Sequence, residues 1–94
     1  MQFQHQDNGQ NGEFFSLNEA GQRIAEISYV WSSAQQIIAN HTWVDQSLRG
    51  QGVARQLLDE LVKFARDKKL KIVGTCSYVE LMFKRDQSLS DVVA

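Results

Sequence analysis

A repeat of apolar side chains at intervals of three and four residues is the clearest pattern in the chain. Its members are Val53, Ala54, Leu57, Leu58, Leu61, Val62 and Ala65. Charged and polar side chains fill most of the remaining positions, and Lys68 and Lys69 follow near the end. This spacing predicts an amphipathic helix, and the two lysines suit the negative end of its dipole.

The first half of the chain has the pattern of strands separated by turns. Residues 3–18 predict a hairpin, because residues 7–12 at its centre are rich in asparagine and glycine. Residues 23–30 alternate in part between polar and apolar side chains, as a half-exposed strand does. After a turn at residues 32–34, the β-branched and aromatic residues within 36–44 predict the next strand.

The second half predicts one more strand and a short helix. Residues 71–76 form the strand, and Ser77 is expected to cap a helix over residues 78–84. We expect residues 86–94 to be loosely held. A strand, a loop, a helix and a strand in succession normally give two neighbouring parallel strands. We therefore predict one α/β domain of residues 1–94, with a mixed sheet of about five strands and two helices.

Composition limits the partners of this domain. Ten basic and eleven acidic residues give a formal net charge of −1, which does not favour a nucleic-acid binder. Cys76 is the single cysteine, so no disulfide can form within the chain, and a free thiol suits a reducing compartment. No stretch approaches the ~20 apolar residues of a membrane helix, and the polar N-terminus shows no secretory signal. We expect a cytoplasmic protein with neither a membrane segment nor a metal site.

A glycine loop between the strand over 36–44 and the long helix has the features of a phosphate site. Gly50 and Gly52 lack side chains, so an anion can approach the backbone N–H groups at the start of the helix. Arg49 and Arg55 flank the loop with charges that suit phosphate oxygens. The lysine and hydroxyl of a P-loop are absent, and Arg55 replaces the third glycine of a dinucleotide fingerprint. The alternative is that the two glycines only turn the chain.

The loop has the pattern R-x-x-G-x-A at Arg49, Gly52 and Ala54. It resembles the pyrophosphate-binding motif of the GNAT acetyltransferase superfamily, in which Gln or Arg is followed by x-x-G-x and then Gly or Ala. The surroundings are similar to the small single-domain YjdJ-like branch of that superfamily. That branch has a histidine–threonine pair before the loop, as at residues 41–42, and a Cys-Ser-Tyr-Val segment after the helix, as at residues 76–79.

The resemblance implies a minimal GNAT-like fold that binds acetyl-CoA or CoA. Two parallel strands of the mixed sheet would diverge in a V-shaped splay, through which an unidentified amine acceptor enters. The strand before the loop would pair with the pantetheine arm, and a backbone N–H near its end could polarise the thioester carbonyl. The loop and the helix start would bind the pyrophosphate. The cofactor-binding residues implied are Trp43, Val44, Arg49, Gly50, Gln51, Gly52, Val53, Ala54 and Arg55.

Two residues are candidates for catalysis. The resemblance places a cysteine at Cys76, where a helix start can activate a thiol, so Cys76 could accept the acetyl group before the amine does. A buried structural cysteine is the alternative. His41 could act as the base for the amine, or it could be a structural residue of the sheet. The usual tyrosine acid of the superfamily lies late in the last helix, where residues 82–84 are Met-Phe-Lys, and Tyr78 lies at the start of that helix instead.

Three functions remain open at this point. The resemblance implies an N-acetyltransferase that acts on an amine of a small molecule, peptide or protein. The displaced tyrosine favours a CoA-binding module without turnover, or a subunit that acts with a partner protein. The third is an adaptor for proteins or nucleic acids that shares only the chemistry of the loop, and the net charge argues against nucleic acid.

Overall fold

Five strands form one sheet in the computed structural model, which describes all 94 residues. The strands cross the sheet in chain order: β1 (Gln4–Asp7), β2 (Asn11–Leu17), β3 (Arg23–Ser33), β4 (Gln36–Val44) and β5 (Lys71–Gly74). The first four are antiparallel neighbours, and β4 and β5 are parallel. The helices are α1 (Val53–Lys68) and α2 (Ser77–Arg85), with 3-10 turns at Gln46–Leu48 and Gln87–Leu89. The predicted α/β fold with a mixed five-stranded sheet and two helices is confirmed.

Helix α1 forms where the apolar repeat predicts it. Its buried residues are Val53, Leu57, Leu58, Leu61, Val62 and Ala65. The helix begins after Gly52, and it ends at Lys69, which has a left-handed φ of 58°. The Lys69 N–H donates to the carbonyls of Ala65 and Arg66, so the end of the helix is closed by its own backbone.

Both helices cover the same face of the sheet. Ala25, Ile27 and Tyr29 alternate along β3 and are fully buried in one core cluster with the apolar residues of α1. Val79 of α2 belongs to the same cluster. The intervening residues of β3, such as Glu26, point to the opposite face, which no helix covers. The side chains of β4 therefore lie either on the helix side of the sheet or on this uncovered face.

The sheet opens between β4 and β5. The two strands pair only as far as Ala39, whose carbonyl accepts hydrogen bonds from the N–H groups of Thr75 (3.0 Å) and Cys76 (3.2 Å). The register of β4 against β3 then shifts at Asn40, and β4 continues to Val44 with no strand beside it on the β5 side. The predicted V-shaped splay between two parallel strands is confirmed.

The C-terminal residues are held more firmly than the sequence suggested. Ile72 donates its N–H to the Val92 carbonyl at 2.6 Å, and its own carbonyl accepts from the N–H of Ala94 at 2.9 Å. Leu89 and Val92 are buried. The prediction that residues 86–94 are loosely held was wrong, because these two apolar side chains complete the core beside β5.

Three element boundaries also differ from the predictions. β3 runs to Ser33, so the turn before β4 lies at residues 34–35. β5 stops at Gly74, where its pairing with β4 ends. α2 begins at Ser77, and the residue that precedes it is Cys76, whose side chain makes no capping hydrogen bond. Ser77 is therefore not the helix cap. Neither helix has the length and apolar character that crossing a membrane requires.

Candidate functional site

A cavity of about 390 Å³ lies where the end of β4, the loop after it and the starts of both helices meet. Thr42 and Val44 of β4 form one wall. Residues 48–55, apart from Gln51, form the second wall, and Tyr78 of α2 closes the third side. The cavity thus sits at the wide end of the opening in the sheet.

The glycine loop leaves the start of α1 open toward this cavity. Gly50 and Gly52 have φ angles of 82° and 73°, which favour glycine. A Cβ at either position would meet no atom within 4 Å, so the backbone conformation rather than lack of space requires glycine. Gly52 provides no side-chain cap for α1. The first N–H groups of the helix, at residues 53–55, therefore have no helical partner and can reach an anion in the cavity.

The two arginines of the cavity differ in how their guanidinium groups are engaged. Arg49 is exposed. Arg55 donates from Nε to Asp59 Oδ1 at 2.8 Å and from Nη2 to Asp86 Oδ2 at 2.7 Å, and these two hydrogen bonds raise the pKa of Arg55. Hydrogen bonds from Ser88 and from Arg55 lower the pKa of Asp86 to about 2. Arg55 therefore joins the cavity wall to the end of α2, and two of its three nitrogens are already bound to carboxylates.

Cys76 lies beside the cavity at the residue before α2. Its Sγ is 3.3 Å from Oγ1 of Thr42, and Thr42 is part of the cavity wall. Thr42 stands opposite Ile27 of β3, whose side chain is in the core, so Thr42 points to the helix side of the sheet. The thiol is half-buried. Cys76 thus packs against the core while its side chain stays partly exposed.

His41 lies on the uncovered face of the sheet. It stands opposite Ser28 of β3, and its Nε2 is 3.4 Å from Oε2 of Glu26. Its side chain is 53% exposed. The sheet separates the imidazole from the cavity, and the opening between β4 and β5 connects the two sides. The two catalytic candidates, His41 and Cys76, are thus placed on either side of this opening.

The remaining predicted cofactor residues divide into two groups. Val44, Val53 and Ala54 line the cavity. Trp43 stands opposite Glu26 and is 36% exposed, so its indole faces away from the cavity and only its backbone lies near it. Gln51 is exposed at the outer edge of the loop and does not line the cavity.

Tyr78 lines the cavity but is not among the site residues predicted from the sequence. It lies at the start of α2 rather than late in the helix, and the structure brings it into the cavity wall beside Arg55. Burial raises the pKa of Tyr78, so its phenol holds its proton at neutral pH. Its position two residues after the candidate cysteine was the available signal, because both then lie at the same helix start.

A second cavity of about 400 Å³ lies beside the β1–β2 turn. Its carboxylates are already paired, since Asp7 accepts hydrogen bonds from Tyr29 at 2.6 Å and from the Trp31 indole at 3.0 Å. Glu13 forms an ion pair with Arg23. These bonds tie the hairpin to β3, and no helix start opens into this cavity. The chemistry therefore points to the cavity beside α1.

The opening between β4 and β5 is the feature of the fold that the resemblance to the GNAT superfamily implies. Residues 14–92 match the family model described as GCN5-related N-acetyltransferase. The chain therefore belongs to the GCN5-related N-acetyltransferase family, and this prediction from the loop motif is confirmed. Its assignment to the YjdJ-like branch stays a prediction. Comparison with the curated proteins gives no match.

Solved structures support the family assignment. The NMR solution structure of a protein from Staphylococcus aureus, assigned as a GCN5-like N-acetyltransferase, is 31% identical with a TM-score of 0.76, and the match covers 97% of this chain and 87% of that one. YhbS from Escherichia coli, a GNAT family N-acetyltransferase in complex with CoA, is 21% identical with a TM-score of 0.64 over 79% of this chain and 43% of that one. A GNAT family acetyltransferase from Elizabethkingia anophelis with acetyl-CoA bound is 16% identical with a TM-score of 0.63, over 81% and 52%. The last two similarities show the fold, and this chain spans about half of their length.

Proposed function

We propose that this protein binds acetyl-CoA and transfers the acetyl group to an amine. The observation that carries the proposal is the cavity in which the glycine loop, the start of α1 and the free side of β4 come together. Membership of the family supports the class of reaction. Two proteins of the same fold hold CoA or acetyl-CoA, which supports the choice of cofactor.

The start of α1 is the binding site for the pyrophosphate. The N–H groups of residues 53–55 donate hydrogen bonds to its oxygens, and the helix dipole adds favourable charge. Arg49 is the principal cation, because its guanidinium is exposed at the cavity. Arg55 contributes mainly by fixing the wall, since two of its nitrogens bind Asp59 and Asp86.

The free side of β4 is the binding site for the pantetheine arm. Beyond Ala39 no strand pairs with β4 on this side, so its backbone groups can bind the amides of the arm. Val44 packs against the arm, and Trp43 contributes its backbone rather than its indole. A backbone N–H in this segment is the donor that polarises the thioester carbonyl.

Cys76 accepts the acetyl group first. The thiol loses its proton to solvent, the Sγ thiolate attacks the acetyl carbon, and the bond from that carbon to the CoA sulfur breaks to release the CoA thiolate. Tyr78, whose phenol is protonated in the cavity wall, passes a proton to the CoA sulfur and regains one from solvent. The amine then attacks the acetyl-Cys76 carbon, the bond to Sγ breaks, and the products are the amide, the Cys76 thiolate and a proton that passes from the amine to a base.

His41 is the base for the amine, and it lies on the face of the sheet opposite the cavity. Its exposed imidazole stands on the uncovered face, and the carboxylate of Glu26 can stabilise the imidazolium that forms when it takes the amine proton. The acceptor consequently approaches from the uncovered face, while the cofactor occupies the helix face. No helix encloses this side, which suits an amine on a peptide, a protein or a polyamine.

A CoA-binding module without turnover is the second candidate function. The observation that favours it is the last turn of α2, where residues 82–84 offer no tyrosine hydroxyl to a leaving thiolate. In that case the loop and α1 bind the cofactor as described, but Cys76 stays unmodified.

The test is a titration of the purified protein with acetyl-CoA and with CoA, followed by amide NMR and by intact mass. We expect shifts at residues 49–55 and in β4, and a mass gain of one acetyl group that is absent in Cys76→Ala. Binding without this mass gain, together with no product from a panel of amines, would support the module without turnover. No binding at near-millimolar ligand would overturn the cofactor assignment.

A further inference from the structure

The side chains of Thr42 and Cys76 bridge the opening in the sheet. Backbone pairing between the two arms ends at the Ala39 carbonyl. Three residues further along β4, Oγ1 of Thr42 reaches Sγ of Cys76 at 3.3 Å. This hydrogen bond, rather than a backbone pair, is what spans the gap between β4 and the start of α2.

The side chain of Thr42 has little freedom to rotate. It lies within a strand, on the helix side of the sheet, and its branched Cβ restricts the rotation of χ1. Both Thr42 and Cys76 are half-buried, so bulk water competes only in part for the hydroxyl and the thiol. A hydroxyl can donate to a thiolate or accept from a thiol, and it therefore suits a sulfur that alternates between the two states.

We propose that Thr42 is a positioning residue for Cys76, holding its sulfur at the cavity and donating a hydrogen bond to it in the thiolate form. The proposal rests on the acetyl-Cys76 route proposed above. In the first step the thiolate is the nucleophile, and in the second step it is the leaving group. The hydroxyl of Thr42 stabilises the sulfur in both steps and is itself unchanged.

This role separates Thr42 from its neighbour His41. Successive residues of a strand point to opposite faces, and His41 lies against Glu26 on the uncovered face. His41 therefore acts as the base for the amine, and Thr42 positions the sulfur of Cys76. These two adjacent residues thus act on opposite faces of the sheet at the same opening.

The experiment measures the rate at which iodoacetamide alkylates Cys76 at neutral pH, followed by intact mass without cofactor or acceptor. We expect Thr42→Val to react about five- to tenfold more slowly, because a hydrogen bond to a charged sulfur is lost. Thr42→Ser keeps the hydroxyl and should stay within about twofold of the wild type. Thr75→Val is the matched control, because Thr75 adjoins Cys76 but donates its hydroxyl to the Ala39 carbonyl.

A rate for Thr42→Val equal to or faster than the wild type overturns the proposal, as does an equal slowing in Thr75→Val. Thr42→Ala is measured in parallel, so that a folding defect of the valine variant does not decide the result. Slower alkylation in Thr42→Val together with no acetyl-Cys76 from acetyl-CoA overturns only the covalent route. Unchanged alkylation together with acetyl-Cys76 overturns only the role of Thr42.

Discussion

Arg55 on α1 and Asp86 at the end of α2 are joined by a 2.7 Å hydrogen bond from Nη2 to Oδ2. Oδ1 of the same carboxylate accepts hydrogen bonds from the hydroxyl and the backbone N–H of Ser88, at 2.6 Å and 2.9 Å. Asp86 thus holds together the cavity wall, the end of α2 and the C-terminal turn.

The charge of Asp86 makes the stability of the protein depend on pH in the acid range. The pKa of Asp86 is about 2 in the folded protein, below its ordinary value of 3.8. A carboxyl whose pKa is lowered by folding stabilises the protein above its ordinary pKa and loses this effect as the pH falls through the folded value. We expect wild type to have a higher Tm than Asp86→Asn at neutral pH, and the difference to vanish between about pH 4 and pH 2.

Thermal unfolding followed by circular dichroism across that range checks this prediction. Asp67→Asn, at an exposed position of α1, is the control and should follow the wild type at every pH. A Tm difference for Asp86→Asn that persists at the acid end would contradict the ionic explanation.

Gly52→Ala should lower stability and weaken binding together. A left-handed φ of 73° at Gly52 costs a residue with Cβ about 1–2 kcal/mol, and relief of the strain moves the first N–H groups of α1. Gly21→Ala is the matched control, because Gly21 has a φ of 80° and equally open surroundings in a distant turn. Urea unfolding should show similar losses for both variants, whereas calorimetry should show weaker acetyl-CoA binding only for Gly52→Ala. Equal affinities in the two variants would argue against an anion site at this helix start.

Arg49→Ala should weaken CoA binding without a change in stability. Removing one exposed guanidinium from a phosphate site should raise Kd about tenfold at low salt, and less at high salt because of screening. Lys68→Ala removes an exposed charge from the other end of α1 and should leave Kd unchanged. Calorimetric titrations at two salt concentrations measure both effects. A Kd unaffected by Arg49→Ala would mean that other residues bind the phosphates of CoA.

His41→Ala should reduce acetyl transfer to amines about a hundredfold, as expected for the loss of a general base. Because His41 is exposed and lies across the sheet from the cavity, Tm and acetyl-CoA affinity should not change. Formation of acetyl-Cys76 should also remain, so the defect should appear only in the second step. Full transfer activity in this variant would leave His41 as a surface residue of the sheet.

Local patterns in the sequence were sufficient for most of the fold. The bounds of β4 and the buried side of α1 follow from runs of β-branched residues and from helical spacing, which neighbouring residues determine. The packing of residues 86–94 against the domain could not be predicted from such local patterns. Leu89 and Val92 stand in a polar segment, and their burial depends on space left beside β5 by distant elements.

The loop of the candidate site was also predictable, but the directions of its side chains were not. The motif located the residues from Arg49 to Ala54, since it is contiguous in the chain. The engagement of Arg55 depends on Asp86, 31 residues away, and no local pattern indicates it. The register shift at Asn40 likewise makes it impossible to count from the buried residues of β4 to the face of Thr42.

The order of the strands across the sheet, identical to their order in the chain, bears on how the protein folds. Each strand finds its partner in the next segment of sequence, so little entropy is lost in closing loops. Only the step from β4 to β5 must wait for α1 to form between them. The chain contains no proline, so no peptide-bond isomerisation slows the approach to the native state. The sequential order of the strands favours rapid refolding, and the absence of proline removes the commonest cause of a slow phase.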